Sequence, residues 1–251
     1  MSNEPVSHIL SYGGGVNTVA LMIVLTEEGA PLDEVVFADT GDEVPETYSY
    51  LDVTKEYLSA RGVPFRVVQK PNRKSLYETC WDRNVFPSAI WRWSTRDFKV
   101  NPIQSYYRRL GGHINQYMGI AYDEVMRVKD SRVSYVTNLY PLIDRGMTRA
   151  DCESVISQAG LPIPVKSGCF FCPFNSVGRW RWLQDNHRDL FDKAVVLEEN
   201  SKHYPSQRLT DQVYRHRATV TLRQLGESIA DDRGILGEPE TESLCGGECM
   251  T

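Results

Sequence analysis

The side chains and turns that could do chemistry begin with a glycine-rich segment near the start of the chain. Three consecutive glycines precede a polar pair in Ser11-Tyr12-Gly13-Gly14-Gly15-Val16-Asn17-Thr18. Glycine lets the backbone approach a phosphate closely, and the amides of such a turn can surround an anion. A helix that begins here adds the positive end of its dipole. The segment predicts an anion-binding loop without the Gly-Lys-Ser/Thr ending of a Walker loop, and a plain tight turn is the alternative.

Cysteines form the second group of reactive side chains. The six are Cys80, Cys152, Cys169, Cys172, Cys245 and Cys249. Disulfides are uncommon in the reducing cytosol. Two of the cysteines lie in a Cys-x-x-Cys-Pro segment, where two sulfurs can converge on one metal ion or cluster, although a closed zinc site or [4Fe–4S] cluster needs about four ligands. The sequence therefore leaves open a cluster, a zinc site, a redox pair and buried thiols.

The elements that must position these residues alternate between strand and helix. Apolar stretches predict strands at 8–12, 34–38, 65–68 and 116–121, with a candidate fifth at 133–136. Helical spacing predicts helices at 18–28 and 45–60. This order implies right-handed crossovers between parallel strands. We therefore expect an α/β fold, an open parallel sheet of about five strands with helices on both faces.

The last hundred residues have a different character. Helices are predicted at 148–159, 177–199 and from residue 222 onward, with a tight cysteine loop at 168–173. We divide the chain into a nucleotide-binding domain, residues 1–147, and a smaller, mostly helical, cysteine-containing region, residues 148–251. Trp180, Trp182 and Phe191 are expected to form a core stripe, and a basic–aromatic binding surface is the alternative.

Composition places limits on the class of protein. The 251 residues are 41% hydrophobic and 24% charged, which fits one sizeable globular domain with an appendage. The formal net charge of −5 argues weakly against a large nucleic-acid surface but allows a local basic groove. Neither a secretory leader nor an apolar run long enough for a membrane span is recognisable, so we expect a cytoplasmic protein with no membrane partner.

Taken in order, these segments resemble the PP-loop N-type ATP pyrophosphatases, and within them the branch that contains phosphoadenosine phosphosulfate (PAPS) reductases. The first segment is similar to the PP-loop, whose common form is Ser-Gly-Gly-x-Asp-Ser, with Gly13, Asn17 and Thr18 at the positions of the first Ser, the Asp and the last Ser. Three further segments match, namely Asp39-Thr40-Gly41 with Pro45-Glu46-Thr47, Arg92 to Pro102, and Gly119 to Glu124 with Arg127. The resemblance covers roughly residues 7 to 175.

The resemblance implies a fold like that of the adenine nucleotide alpha hydrolases, together with a set of site residues. The implied nucleotide-binding residues are Ser11, Tyr12, Gly13, Gly14, Gly15, Asn17, Thr18, Asp39, Thr40, Gly41, Arg92 and Gly119, and the implied catalytic residues are Asp39 and Lys99. The segment from Cys152 to Pro173 is similar to iron–sulfur members of the superfamily. It implies a [4Fe–4S] cluster held by Cys80, Cys152, Cys169 and Cys172, with Zn²⁺ as the alternative.

The function implied by this resemblance is that of an enzyme that binds ATP or a related adenine nucleotide with Mg²⁺ and adenylates a substrate for sulfur transfer, assisted by the iron–sulfur cluster. A nucleic acid is a candidate substrate, and a sulfur donor or partner subunits are candidate partners. A reductase of PAPS or adenosine phosphosulfate is the second hypothesis, with Cys245 or Cys249 as its thiol. A non-catalytic nucleotide-binding subunit of a modification or defence complex is the third.

Overall fold

The computed structural model describes residues 5–71, 74–87, 92–201 and 221–230. The strands are β1 (Val6–Tyr12), β2 (Glu34–Asp39), β3 (Phe65–Gln69), β4 (His113–Met118) and β5 (Val136–Leu139). The helices are α1 (Val16–Glu27), α2 (Pro45–Ser59), α3 (Leu76–Arg83), α4 (Trp93–Thr95), α5 (Asn101–Leu110), α6 (Pro141–Asp144), α7 (Arg149–Gln158), α8 (Val177–Asn186), α9 (Arg188–Ser201) and α10 (Leu222–Ala230). A π-helical turn (Arg96–Val100) joins α4 to α5, and a 3₁₀ helix (Tyr122–Arg127) follows β4.

The strands form one parallel sheet in the order β3-β2-β1-β4-β5. In the centre, β1 pairs with β2 on one side, where Tyr12 lies opposite Phe37, and with β4 on the other, where Ser11 lies opposite Met118. Strands β2 and β3 follow β1 on one side of the sheet. The chain then crosses to the other side of β1, where β4 and β5 complete the sheet. In open α/β sheets this switch point is where ligands bind, outside the carboxyl ends of the strands.

Alternating strand residues bury both faces of the sheet. Leu10 and Phe37 pack in the core beneath α1, α2 and α7, whereas Ile9 and Val36 pack in the core beneath α5. Helices therefore cover both faces, and the predicted five-stranded open parallel sheet is confirmed. Helix α7 lies beyond the proposed boundary at residue 147 yet packs in the same layer as α1, so the division into two domains stays a prediction.

A third core joins α3, α4 and the cysteine loop to the helices of the C-terminal region. Trp180 and Phe191 are fully buried there with their rings 6.1 Å apart, and Trp182 is partly buried at the edge. The expected core stripe is thus present. The single helix expected over 177–199 is divided at His187 into α8 and α9.

Strands β4 and β5 lie about three residues from their expected positions. Strand β4 begins earlier because the amide of His113 bonds to the carbonyl of Pro5, and its first residues are polar, which conceals the strand pattern. Strand β5 begins later because Ser131 and Val133 form a hydrogen-bonded turn. Across the described part of the chain, no helix has both the length and the apolar character needed to cross a bilayer.

Candidate nucleotide site

The glycine loop joins β1 to α1 at the switch point. Gly14 has φ +74°, a conformation that favours glycine. Gly15 precedes α1, and its carbonyl accepts hydrogen bonds from the Thr18 amide at 3.1 Å, the Val19 amide at 3.0 Å and the Thr18 hydroxyl at 3.0 Å. No side chain caps this helix. The amides before Thr18 therefore remain at a positive helix end, which suits a phosphate.

The end of β4 lies directly against the start of α1. A Cβ on Gly119 would be 2.8 Å from Cα and 2.9 Å from the amide nitrogen of Thr18. Real Cβ atoms do not approach backbone so closely, so glycine is required here for the two elements to meet. Gly119, predicted to bind nucleotide, thus shapes the site by allowing close packing.

A buried polar cluster connects α1 to the segment after β4. The Asn17 amide nitrogen donates to Glu124 Oε2 at 3.0 Å, and Arg127 Nη1 lies 2.8 Å from Glu124 Oε1. Asn17 Oδ1 and Arg127 Nε and Nη2 are buried and have no hydrogen-bond partner. A buried polar atom without a partner costs about 1–3 kcal/mol. The cluster therefore offers one acceptor and two donor groups to a ligand.

Asp39 lies at the carboxyl end of β2, as expected, but both of its carboxylate oxygens are engaged. Oδ1 accepts from the Gly41 amide and the Tyr48 hydroxyl, each at 2.8 Å, and Oδ2 accepts from Gln69 Nε2 at 2.7 Å. Burial and the nearby Asp39 raise the pKa of the Tyr48 hydroxyl, which keeps it a donor. In this arrangement Asp39 shapes the loop after β2.

The other residue predicted to be catalytic, Lys99, belongs to a buried cluster on the same edge. Lys99 Nζ lies 3.2 Å from Glu43 Oε1, and both side chains are less than a tenth exposed. The same oxygen accepts from the Thr40 hydroxyl at 3.1 Å, and that hydroxyl is 3.2 Å from Cys169 Sγ. The sequence motif contained Glu43 but gave it no role; its burial beside a lysine is visible only in three dimensions.

Ser11 and Tyr12, the two residues before the glycines, face opposite sides of the sheet. Tyr12 is fully buried and its hydroxyl bonds to Thr54 at 2.7 Å, while burial raises the pKa of that hydroxyl. Only the backbone of Tyr12 is therefore available to a nucleotide. Ser11 faces the other side of the sheet and lines a cavity with Arg92, whose Nε and Nη2 are buried without hydrogen-bond partners.

The cysteine loop packs on this edge of the sheet. The Phe170 amide donates to the Asp42 carbonyl at 3.0 Å, and the Val44 amide donates to the Gly168 carbonyl at 3.2 Å. A Cβ on Gly15 would be 3.1 Å from the Ser167 hydroxyl oxygen. Ser167 is thus a further residue beside the glycine loop, and its position just before the Cys-x-x-Cys segment is the one sequence signal for it.

The four cysteines expected to hold a cluster are not brought together. Cys152 is buried in the core beneath α1 and α7, whereas Cys80, Cys169 and Cys172 lie in or near the core of the C-terminal region. Burial raises the pKa of the Cys152 thiol to about 12, and burial also raises the pKa of the Cys80 thiol. Within the described ranges, no three histidine, cysteine or acidic side chains are grouped to hold a metal ion.

The described structure does not bring these four thiols together, so it lends the predicted ligand set no support. The described residues do not fit a four-cysteine [4Fe–4S] or zinc centre. Cys245 and Cys249, the other cysteines considered from the sequence, lie outside the described residues.

The sheet order and the glycine loop at its switch point define an α/β protein of the PP-loop superfamily. The model of the phosphoadenosine phosphosulfate reductase domain matches residues 7–163, more than half of the chain. The chain belongs to this family. No curated protein matches it.

Similar solved structures include a reductase and a thiolase. The phosphoadenylyl-sulfate (PAPS) reductase from Candida auris, a phosphate complex, has 16% identity and a TM-score of 0.47, over 65% of this chain and 76% of that one. The U34-tRNA thiolase NcsA from Methanococcus maripaludis, solved with its [4Fe-4S] cluster, has 11% identity and a TM-score of 0.42, over 95% of this chain and 84% of that one.

Proposed function

We propose that the chain binds ATP or a related adenine nucleotide at the glycine loop and adenylates an acceptor for sulfur transfer. The observation that supports this best is the group of unpartnered buried atoms on Asn17 and Arg127 beside the uncapped start of α1. The two Arg127 nitrogens suit a phosphate, and Asn17 Oδ1 suits a ribose hydroxyl. A nucleotide would satisfy both groups in one binding event.

The loop stabilises the charge that develops when ATP is cleaved between its α and β phosphates. An acceptor oxygen attacks the α-phosphorus, the bond to the bridging oxygen breaks, and pyrophosphate leaves. A hydrosulfide supplied by a sulfur donor then forms a C–S bond, AMP leaves with the C–O electrons, and the sulfur proton passes to solvent. In this proposal the α1 amides and Arg127 stabilise the phosphate charge of the first step.

Mg²⁺, when bound, offsets the charge of the phosphates. Asn17 is neutral and both Asp39 oxygens are engaged, so the described residues give Mg²⁺ few carboxylate ligands. The phosphates themselves and water would supply most of its coordination. No step of this proposal uses an iron–sulfur cluster, because the described cysteines do not fit one.

A reductase of PAPS or adenosine phosphosulfate is the second candidate, and the position of one thiol favours it. Cys169 Sγ lies 3.2 Å from the Thr40 hydroxyl on the nucleotide edge. In such a reaction a thiolate attacks the sulfate sulfur, the nucleotide leaves through its phosphate oxygen, and a second thiol releases sulfite as a disulfide forms. The other candidate thiols, Cys245 and Cys249, are outside the described residues.

One set of assays separates the candidates. The chain is purified anaerobically, its metal and nucleotide are identified, and it is incubated with ATP and with PAPS. Release of pyrophosphate with AMP supports the adenylating enzyme, whereas sulfite release from PAPS supports the reductase. Tight nucleotide binding without either product supports a non-catalytic subunit. Failure to bind any adenine nucleotide would overturn the proposal, and Arg127→Gln is expected to weaken binding about tenfold or more.

A further inference from the structure

The cavity lined by Ser11 and Arg92 opens on the α5 face of the sheet, on the opposite side of the switch point from β2. It has a volume of about 430 Å³ and lies between α5 and the carboxyl ends of β1, β4 and β5. This volume is within the usual range for ligand pockets. Ser11 contributes to the wall, so the cavity adjoins the glycine loop.

The cavity is strongly cationic although the chain as a whole is acidic. Five basic side chains line it, Arg92, Arg96, Lys99, Lys129 and Arg132, against one carboxylate, Asp130. Two of the five have nearby acids, since Arg96 pairs with Asp97 and Lys99 pairs with Glu43. Three cationic side chains, those of Arg92, Lys129 and Arg132, therefore remain for a ligand against the single carboxylate of Asp130.

Each of these three residues is placed for an anion. Arg92 has two buried nitrogens without hydrogen-bond partners. Lys129 and Arg132 are exposed at the rim, and neither has an ion pair with any residue that the structure describes. An anion that reaches from the rim inward would contact all three, so the cavity suits a ligand with more than one phosphate or with one phosphate near the rim.

The floor of the cavity is polar and held in place by hydrogen bonds. Tyr107 donates to Gln116 Oε1 at 3.0 Å, Gln116 Nε2 donates to Asn138 Oδ1 at 2.9 Å, and Asn138 Nδ2 donates to the Lys129 carbonyl at 2.9 Å. Each amide oxygen keeps a second lone pair for a donor. Fixed amide side chains of this kind are common partners of the hydrogen-bonding edges of nucleobases.

The segment that leads to the rim exposes apolar side chains. Tyr122 is 52% exposed, Val125 48% and Met126 88%, all just before Lys129. Exposed aromatic and apolar side chains beside cationic ones are typical of surfaces that stack the bases of a single strand. A free mononucleotide would fill the cavity but leave this surface bare.

We propose that the cavity binds one nucleotide of a single-stranded nucleic acid, whose neighbouring residues lie along the Tyr122–Arg132 segment. The phosphates meet Arg92, Lys129 and Arg132, and the base meets the Gln116–Asn138 floor. The inference rests on the proposed function, because it identifies the acceptor as a nucleic acid held beside the nucleotide site.

The test measures binding of a fluorescent single-stranded oligonucleotide, as DNA and as RNA, by anisotropy in the presence of a non-hydrolysable ATP analogue. The variant Lys129→Gln/Arg132→Gln is compared with Lys55→Gln/Arg188→Gln, which removes equal charge from exposed helix pairs. We expect the rim variant to lose about tenfold or more in oligonucleotide affinity and to lower the salt slope by about two. The comparison variant should retain wild-type affinity.

A third variant separates stacking from charge. Tyr122→Ala should weaken oligonucleotide binding several-fold while leaving the salt slope unchanged. Preference for DNA or for RNA identifies the polymer, and either supports the proposal. Equal losses in the two double variants, or AMP competing as strongly per molecule as the oligonucleotide, would overturn it. If the oligonucleotide results overturn the inference but the wild type binds the ATP analogue, only this inference has failed. If the wild type does not bind the ATP analogue, the result counts against the proposed function.

Discussion

Asn17 Nδ2 donates to Glu124 Oε2 across 3.0 Å, and this hydrogen bond joins the first turn of α1 to the 3₁₀ helix after β4. The two residues are 107 positions apart and follow neighbouring strands. Where the common PP-loop has an aspartate, an asparagine here can donate to a carboxylate instead of repelling it. The neutral side chain and the acidic partner are therefore a matched pair.

We predict that Asn17→Ala weakens adenine-nucleotide binding about tenfold, because it removes the donor to Glu124 and the buried acceptor Oδ1. Isothermal titration with an ATP analogue measures the effect. Asn115→Ala is a matched control, since Asn115 bonds His8 at the opposite end of β4. Similar losses of affinity in both variants would contradict a specific role for Asn17.

Gly119→Ala tests the close contact between β4 and α1. The added methyl would lie 2.8 Å from Thr18 Cα, so the start of α1 must shift. We expect the free energy of unfolding to fall by about 1–3 kcal/mol and nucleotide affinity to fall with it. Gly178→Ala, in α8, has only the Ser176 hydroxyl oxygen nearby at 3.9 Å and should instead stabilise by about 0.4–1 kcal/mol.

Urea denaturation of the wild type and the two glycine variants gives both changes in the free energy of unfolding. A Gly119→Ala variant as stable as the wild type, with unchanged affinity, would contradict the close contact. A stable variant with weakened affinity would still place Gly119 in the site, because a shift of the α1 amides alters phosphate contacts.

Lys99→Met tests the buried ion pair with Glu43, whose Oε1 lies 3.2 Å from Lys99 Nζ. Removing one member leaves the other charge buried, and such changes cost about 3–5 kcal/mol. The double variant Glu43→Gln/Lys99→Met should lose less than the sum of the single variants. Denaturation of all four proteins completes the double-mutant cycle, and additive effects would show that the two residues do not interact.

The sequence predicted those elements whose pattern is local. Strands β1 to β3 and helix α7, whose first turn is capped by Thr148 and Asp151, appear where expected, since the patterns that predict them lie in neighbouring residues. Strand β4 begins earlier than expected because its first residues are polar and bond to a neighbouring strand, as Asn115 does to His8. A pattern of burial alone does not reveal such pairs.

The candidate site was predictable in its location but not in its contacts. The order of the motifs along the chain predicted that the glycine loop and Asp39 lie at the same edge of the sheet, because the carboxyl ends of parallel strands meet at that edge. Which polar atoms remain unpartnered, as on Asn17 and Arg127, depends on packing between distant segments. The cysteine ligand set gained no support from the structure for the same reason, since spacing could not show that Cys152 packs in the core beneath α1.

Asp42 provides a pH test of this edge of the sheet. Burial raises its pKa to about 6, so the folded state binds more protons than the unfolded state between about pH 4 and about pH 6. The contribution of Asp42 to the free energy of unfolding should therefore fall as pH rises through this window and level off above it. Asp42→Asn removes the titration, and its stability relative to wild type should rise from about pH 4 to about pH 7.

Urea denaturation of both proteins across this range measures the difference. The Tyr77 amide donates to Asp42, and an asparagine oxygen can still accept that bond. A stability difference that stays constant with pH would show that Asp42 titrates normally in the folded chain.

Cys80→Ala and Cys152→Ala should leave the iron and zinc content of the anaerobically purified protein unchanged, because both thiols are buried and neither belongs to a group of metal-binding side chains in the described residues. Metal analysis of the two variants and of Cys172→Ala tests this. Any metal that the wild type contains should persist in the first two, and a loss in Cys152→Ala at wild-type stability would contradict its place in the core.

Thiol reactivity gives an independent measure that does not depend on metal. The thiolate is the reactive form, so buried thiols of raised pKa should alkylate slowly in the native protein and quickly in urea. Peptide mass spectrometry after a timed iodoacetamide pulse reports each cysteine separately. Rapid native alkylation of Cys152 would mean that α7 opens away from α1, since no surface route to that thiol exists while the two helices stay packed.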